Sequence, residues 1–318
     1  MTRELLARCY DAHVKSWALK LVILLAVLGV AVYWYPPFRL SALVVAGRSP
    51  GCPLNQAVKA KDNIRREIEI KDRILKASKR IEVDAQGYTL WDTPKGRYWV
   101  PKGSDYVLPF NLGEQERKIY GEGKNFVRSG DVVLDCGANM GVFTRVALDH
   151  GARLVVAIEP APENIEVLKR NYAAEIAAGK VILYPKGVWD KDDFLTMNVD
   201  PTNSAADSFV LHPDKSQATT IKLPLTTIDK LAAGLKLDRV DFIKMDIEGA
   251  EPNALRGAKE TIAKWHPRMA ISVYHKPGDP VEVPAAIRDA WPDVNQECGP
   301  CELDEKNHII RPDIYYFF

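Results

Sequence analysis

Residues 132–141 read Val132-Val133-Leu134-Asp135-Cys136-Gly137-Ala138-Asn139-Met140-Gly141. An apolar run ends in an acid, and two glycines come next before Val142–His150 continues at helical spacing. This is the pattern of a β-strand feeding a helix through a tight loop. Glycine at 137 and 141 permits positive φ and close approach of a ligand to the backbone. Asp135 falls at the carboxyl end of the strand, where open α/β sheets bind ligands. A dinucleotide fingerprint would place glycine where Asn139 stands. The acid before the loop repels a pyrophosphate and suits a cationic amino group. The pattern therefore favours a cofactor with an ammonium and no phosphate, a description that S-adenosylmethionine meets.

Outward from this stretch, strands and helices alternate, which predicts an α/β domain with a largely parallel sheet. Strands are expected at Val132–Asp135, Leu154–Glu159, Val181–Tyr184, Val240–Asp246 and Met269–Tyr274. Helices are expected at Pro162–Ile176 and Ala250–Trp265. Phe194–Val199 with Thr220–Leu225 reads as an inserted antiparallel pair, and Glu302 with Ile309–Phe318 as a closing hairpin. Upstream, Tyr88–Trp91 and Arg97–Val100 flank Thr93-Pro94-Lys95-Gly96, a hairpin with its turn, and Glu114–Tyr120 reads as a short helix.

Glu159 ends the second strand, where an acid accepts hydrogen bonds from ribose hydroxyls. Asp246, Glu248 and Glu251 cluster at the end of the fourth strand and the start of a helix. A carboxylate there can orient or deprotonate an acceptor hydroxyl, and three acids also suit a divalent cation. His275, after the fifth strand, is a candidate base near neutral pH. The competing role for each of these acids is helix capping.

The chain has 318 residues, 43 Lys and Arg against 42 Asp and Glu, and five cysteines. So neutral a chain lacks the basic footprint of a nucleic-acid binder. An odd, sparse set of cysteines argues against a disulfide framework. Cys298-Gly299-Pro300-Cys301 reads as a turn with incidental cysteines, since no helix evidently comes after it as a redox dithiol would require.

Leu21–Phe38 carries no charge. The nineteen residues Trp17–Tyr35 would cover roughly 28 Å as a helix, close to the thickness of a bilayer core. Trp17 at one end and Tyr33, Trp34 and Tyr35 at the other suit its two interfaces, and Pro36-Pro37 stop the helix. These features predict a single-pass transmembrane helix. Residues 57–80 then read as a basic amphipathic helix: a stalk, a membrane-surface helix or a self-association element. The charge count around the apolar segment puts the bulk of the chain outside; the cytosolic origin of S-adenosylmethionine puts the catalytic domain in the cytoplasm, and the second argument is preferred.

Three stretches together resemble the FkbM family of S-adenosylmethionine-dependent methyltransferases. They are DVVLDCGANMGVFTRVAL (131–148), VVAIEPAPENIEVLKRN (155–171) and DFIKMDIEGAEPNALRGA (241–258), with GVWD (187–190) between them. The resemblance covers roughly residues 114–275 and leaves the N-terminal segment outside it. It implies a class I Rossmann-like methyltransferase fold, a mostly parallel sheet with helices on both faces, and O-methylation of a hydroxyl on a small molecule or sugar. By position it implies Asp135, Gly137, Asn139 and Gly141 as the cofactor loop, Glu159 at the ribose and Val188 near adenine. Asp246, Glu248 and His275 would line the acceptor side. Family members often carry Glu where this chain has Tyr274.

The expected organisation is a tail and transmembrane anchor (1–38), a linker with the basic helix (39–82), a hairpin and lead-in helix (83–126) and the methyltransferase domain (127–318). The expected partners are S-adenosylmethionine, a small-molecule or lipid-linked glycan acceptor and, through Trp17–Tyr35, a membrane; no metal and no nucleic acid is expected. The Asn/Asp-Pro-Pro-Tyr/Phe sequence of amino-methylating enzymes is absent from the domain. The alternatives are a non-catalytic, membrane-tethered cofactor-binding module and an NAD-dependent oxidoreductase, which the loop spacing disfavours.

Overall fold

The computed structural model describes residues 3–199 and 219–318. Its central feature is a seven-stranded sheet built from β4 (Val132–Cys136), β5 (Leu154–Ile158), β6 (Val181–Tyr184), β10 (Phe242–Met245), β11 (Arg268–Ser272), β12 (Gln296–Cys298) and β15 (Ile314–Phe317). Their spatial order is β12-β15-β11-β10-β4-β5-β6. β15 runs antiparallel to both its neighbours, while the pairs from β11 to β6 are parallel. The chain leaves β4 toward β5 and β6 and later returns on the other side of β4 to lay down β10 and β11. The order thus reverses between β4 and β10, the place where a doubly wound sheet opens a crevice beyond its strand ends.

The central strands β4, β5, β10 and β11 are buried on both faces, hence their largely apolar sequences. Leu134, Val156, Ile243 and Ile271 form one face of the core, and Val133, Val155, Phe242 and Ala270 the other. The helices behind the strands are α6 (Val142–Asp149), α7 (Pro162–Asn171), α8 (Ala173–Ala177), α9 (Ile228–Gly234), α10 (Glu251–Arg256), α11 (Lys259–Trp265) and α12 (Asp279–Arg288). In α7, Pro162 opens the first turn, Glu163 lies near its amino end, and Lys169 and Arg170 lie in its last turn, matching the helix dipole. The Thr227 side chain caps α9 by accepting from the Lys230 amide at 3.0 Å. The expected single helix 250–265 is interrupted at Gly257, whose pro-Cβ position lies 2.0 Å from the Trp189 carbonyl oxygen. The inserted pair is present as β8 (Asp193–Val199) and β9 (Thr219–Thr226), with β7 (Gly187–Val188) parallel to β9. The closing hairpin is β13 (Cys301–Asp304) with β14 (Ile309–Pro312), and β15 continues into the main sheet.

Upstream, β1 (Lys79–Val83), β2 (Thr89–Thr93) and β3 (Gly96–Val100) form a small antiparallel sheet. The lead-in helix α5 (Val107–Arg117) starts and ends earlier than 114–120. The basic helix is α4 (Ala60–Ala77), and it packs on α5 and β13. Ile74 is buried with Val107 and Leu112, and Ile64 lies against the cluster containing Leu303 and Ile310. Ile64, Ile70 and Ile74 of α4 are thus turned onto the domain, while Ile68 and Leu75 of the same helix stay exposed.

The N-terminal segment departs from the single-span expectation. α1 (Arg3–Trp34) leads at once into α2 (Pro36–Val45), then α3 (Leu54–Ala57). Among the described residues no single helix is long and apolar enough to cross a membrane. Ser16–Ala31 and Pro36–Val45 meet that criterion only together, bent by 108°. The prolines explain the bend. They break the hydrogen-bond ladder, as expected, but they also suit the first turn of a new helix, so the chain turns instead of stopping. Phe38 thus belongs to α2, whose Leu40 is buried against the domain. The apolar side chains Leu19 to Leu28 that the structure describes are exposed.

The cysteines also depart from expectation. Cys52 and Cys301 are joined in a disulfide across 249 positions. No local motif announces a pair that is made only when the segment after α2 docks on β13.

Candidate active site at the sheet switch point

A cavity of about 970 Å³, partly open to solvent, lies at the carboxyl ends of β4, β5 and β10. Its wall includes Gly137, Asn139, Glu159, Val188, Asp246 and Glu248. Two of its features come from backbone geometry. Asn139 adopts positive φ (50°), so its amide donates to Glu159 Oε2 at 2.8 Å. The Ala161 amide donates to Glu159 Oε1 at 2.9 Å. Both carboxylate oxygens are thereby fixed at the end of β5. Gly137 (φ 79°) lies so close to the next strand that an added Cβ would fall 1.9 Å from the Asp246 carbonyl oxygen. The glycine here admits the neighbouring strand end as much as any ligand.

Three expected site residues are placed differently. Asp135 is buried, but its carboxylate does not line the cavity. Its Oδ2 accepts from the Thr144 hydroxyl at 2.6 Å, and its Oδ1 lies 3.6 Å from Lys244 Nζ. Asp135 and Lys244 are register partners on adjacent strands, so the amino group expected opposite this acid belongs to the protein. Gly141 is also away from the cavity wall. Its left-handed φ of 95° and the ring of buried Tyr172, 2.2 Å from where a Cβ would stand, make it a packing glycine. His275 lies behind the wall, its side chain only 2% exposed.

His275 holds the acids beyond β10 together. Its Nε2 is 3.3 Å from Asp246 Oδ1 and 3.5 Å from Glu248 Oε2, and its Nδ1 is 3.1 Å from Glu251 Oε1. Burial alone would lower its pKa, but Glu251, Asp246 and Glu248 outweigh burial and raise it to about 10. It is thus an imidazolium at neutral pH and has no lone pair to act as a base. Burial would raise the Asp246 carboxyl, yet the charges of His275 and Lys244 and the Tyr120 hydrogen bond hold it below its ordinary value. Tyr120 Oη donates to Asp246 Oδ2 at 2.7 Å. Glu248, in left-handed backbone (φ 55°), has its pKa pushed to about 7 by burial, with His275 opposing and Asp246 adding to the rise. A carboxyl titrating near neutrality is the one best tuned to exchange a proton at working pH.

Sequence reasoning missed Lys244, Tyr120 and Glu114. Lys244 Nζ donates to the Gly137 carbonyl at 2.8 Å and sits 5.2 Å from the Tyr120 ring centroid. A lysine inside an otherwise apolar strand, Phe242-Ile243-Lys244-Met245, was the available signal, because a buried charge needs a partner. Glu114 reaches the cavity from α5, and burial, then the charge of Asp246, pushes its pKa to about 8. Glu251 Oε1 accepts from the Ile247 amide at 2.8 Å, the capping role open to acids at a helix start. Asp246, Glu251 and His275 bring ligand-type atoms within 4.8 Å of one another, and the imidazolium already supplies the compensating charge there.

A doubly wound sheet with a cavity at its switch point, an acid after the second strand of that sheet and a cluster of acids beyond β10 define the methyltransferase-like α/β class. The methyltransferase FkbM domain profile matches residues 135–299, and the chain belongs to that family. Methyltransferase sdnD of Sordaria araneosa is 22% identical over 198 residues, covering 53% of this chain and 76% of sdnD. The 31-O-demethyl-FK506 methyltransferase FkbM of Streptomyces tacrolimicus is 26% identical over 191 residues, covering 51% of this chain and 72% of its own. The crystal structure of methyltransferase FkbM from Methylobacillus flagellatus KT aligns with 82% of this chain at 20% identity and a TM-score of 0.42, and the chain spans 60% of that protein's length.

The imidazolium has a measurable consequence. A folded-state pKa raised from 6.5 to about 10 stabilises the fold fully below the unfolded value and loses that contribution as pH rises through the folded one. Guanidinium unfolding midpoints are expected to fall between pH 8 and 10, and His275→Gln should flatten that slope. Parallel slopes in the two proteins would show that His275 is not held protonated.

Proposed function

We propose that this chain is an S-adenosylmethionine-dependent O-methyltransferase acting on a hydroxyl of a sugar, a lipid-linked glycan or another small molecule. The observation that carries this reading is the cavity whose wall brings together Glu159 and the Asp246–Glu248 pair. The residues present suit the cofactor. Glu159, with both oxygens held by backbone amides, can accept from ribose hydroxyls while keeping its orientation. Val188 offers an apolar wall for adenine, and Gly137 and Asn139 bring backbone to the cavity surface. When bound, S-adenosylmethionine supplies a methyl group on a sulfonium.

The chain's own part is alignment and proton handling. Asp246, ionised and fixed by Tyr120, orients the acceptor hydroxyl. Glu248 takes up its proton. His275 positions both acids and is not itself the base. Tyr120, Phe143 and Tyr274 contribute an aromatic part of the wall.

The same reading includes the membrane, with the catalytic domain on its cytosolic side. The exposed apolar surface of α1, with Trp17 at one end and Tyr33 and Trp34 at the other, favours a bilayer over water. The bend between α1 and α2 suits an inserted elbow as well as a broken span, and either would hold the site close to a membrane-borne acceptor.

Calorimetric titration of the full chain in detergent tests the cofactor. Binding of S-adenosylmethionine but not NAD is expected, and Glu159→Ala should weaken it by ~1–3 kcal/mol, the worth of hydrogen bonds to a charged group. Absence of binding sinks the reading. Transfer of labelled methyl groups into sugars and lipid-linked glycans separates an enzyme from a binding module. With an acceptor in hand, Glu248→Gln should lower kcat by roughly 10²–10⁴-fold and remove the acidic limb of the pH profile; an unchanged limb assigns the base elsewhere. In flotation with lipid vesicles the full chain should rise with the lipid, and charged replacements at Leu24 and Leu28 should leave it in the dense fraction. Equal flotation of both would remove the membrane from the proposal.

A further inference from the structure

Cys298, at the end of β12, completes a cluster with Cys52 and Cys301 that neither the fold nor the proposed chemistry uses. The three sulfurs lie within 4.8 Å of one another. Cys301 is central: it is bonded to Cys52, and its Sγ is 3.6 Å from Cys298 Sγ. Cys298 is a free thiol, half-buried, while Cys52 and Cys301 are buried. Burial, then the neighbouring Asp313 side chain, pushes the Cys298 pKa up to about 12, so the group rests as the thiol beside the disulfide.

The cluster lies where the N-terminal helices meet the domain. Leu40, Ala57 and Ala60 pack there on Cys301, Leu303 and Ile310. Polar contacts cross it as well. The Ile310 amide donates to the Arg48 carbonyl at 2.9 Å, Arg48 donates back to the His308 and Asn307 carbonyls, Tyr315 Oη donates to the Gly51 carbonyl at 3.3 Å, Asn63 Nδ2 donates to the Cys301 carbonyl at 2.9 Å, and Arg39 pairs with Glu305 at 2.8 Å. Among the described residues the disulfide is the covalent link that closes this interface.

We propose that Cys52, Cys298 and Cys301 form a thiol–disulfide exchange centre that fastens and releases the N-terminal helices. In the fastened form the bond is Cys52–Cys301. The Cys298 thiolate attacks Cys301 Sγ, the Cys298–Cys301 bond forms and the Cys52–Cys301 bond breaks. Cys52 leaves as a thiolate and takes up the proton that Cys298 gave up. The step is an isomerisation and consumes no oxidant. Small thiols of the glutathione class set whether a disulfide is present at all, which matters for a domain placed in a reducing compartment. A zinc ion on the same three sulfurs is the competing occupant. The structure favours exchange because two of the sulfurs are already bonded, and no fourth Cys, His, Asp or Glu joins the group among the described residues.

The test uses the full chain in detergent micelles, equilibrated with reduced and oxidised glutathione, blocked with N-ethylmaleimide and digested with trypsin. Cys52 falls in peptide 49–59, and Cys298 and Cys301 share peptide 289–306. Two species are expected: the two peptides joined with Cys298 blocked, and 289–306 closed on itself with Cys52 blocked. Cys298→Ser should leave only the joined species and Cys52→Ser only the closed one. Hydrogen exchange in α2 should be at least tenfold faster in Cys52→Ser than in the wild type. The joined species alone at every glutathione ratio in the wild type overturns the proposal, as do three blocked thiols with stoichiometric zinc by emission spectrometry. Unchanged exchange in α2 overturns the release. None of these readouts depends on cofactor or acceptor, so their failure is separate from failure of the methyltransferase reading.

Discussion

The buried pair between Lys244 and Asp135 is the constraint on which the site depends. The two residues are register partners on β10 and β4, the strands that flank the reversal of sheet order. Neither charge is stable there alone. Together they bridge the switch point, and the lysine goes on to hold the Gly137 carbonyl at 2.8 Å. The loop after β4 is thereby pinned to β10, so that Glu159 and Asp246 face one cavity. The same ammonium lies over the Tyr120 ring and helps keep Asp246 ionised. Burial opposes the charge on Lys244, but Asp135, Asp246 and Glu114 raise its pKa nonetheless. The loop after β4 and the acids beyond β10 are thus coupled through one cation.

That coupling explains how much of the site the sequence could show. Position along a strand is legible: an apolar run ending in an acid puts Asp135, Glu159 and Asp246 at strand ends, and the alternation of elements puts those ends on one edge of a sheet. The partner of each acid is a matter of register between strands far apart in the chain, which no local pattern encodes. Local pattern therefore assigns Asp135 to the cofactor, although a strand-mate satisfies it. It assigns Gly141 to the loop, although the Tyr172 ring is what the missing Cβ makes room for. His275 is legible as a chemically active residue, but its protonation state is not. The three carboxylates that protonate it include Glu251 from the next helix, and their convergence exists only in the folded chain.

The N-terminal region shows the same limit at a larger scale. Hydropathy and the aromatic residues around Leu21–Phe38 read as one span because composition averages over a bend. Pro36-Pro37 are compatible with an end or a new beginning, and the residues after them make the choice. Leu40 has a pocket on the domain to fill, and a second helix presents it there. α4 likewise lays Ile64, Ile70 and Ile74 on α5 and β13 and leaves Ile68 and Leu75 exposed, so part of a pattern compatible with a membrane surface is consumed within the fold. Amphipathicity identifies a face that must be covered, and tertiary structure decides what covers it.

The charge balance of the cavity bears on the kind of ligand it takes. Glu114, Glu159 and Glu248 have pKa values of about 8, 7 and 7, each raised chiefly by burial. Lys244 is matched by Asp135 on the adjacent strand, and His275 by the acids of the acceptor side. The cavity therefore carries more carboxyls than its own cations neutralise, and it relieves the excess by holding protons. A ligand bearing a sulfonium and an ammonium relieves it differently, by placing positive charge where those carboxyls ionise more readily. A pyrophosphate would work against them. The proposed cationic, phosphate-free cofactor, which the sequence suggests through a single acid before a glycine loop, would thus be favoured in the folded protein by the carboxyls of the cavity wall rather than by Asp135.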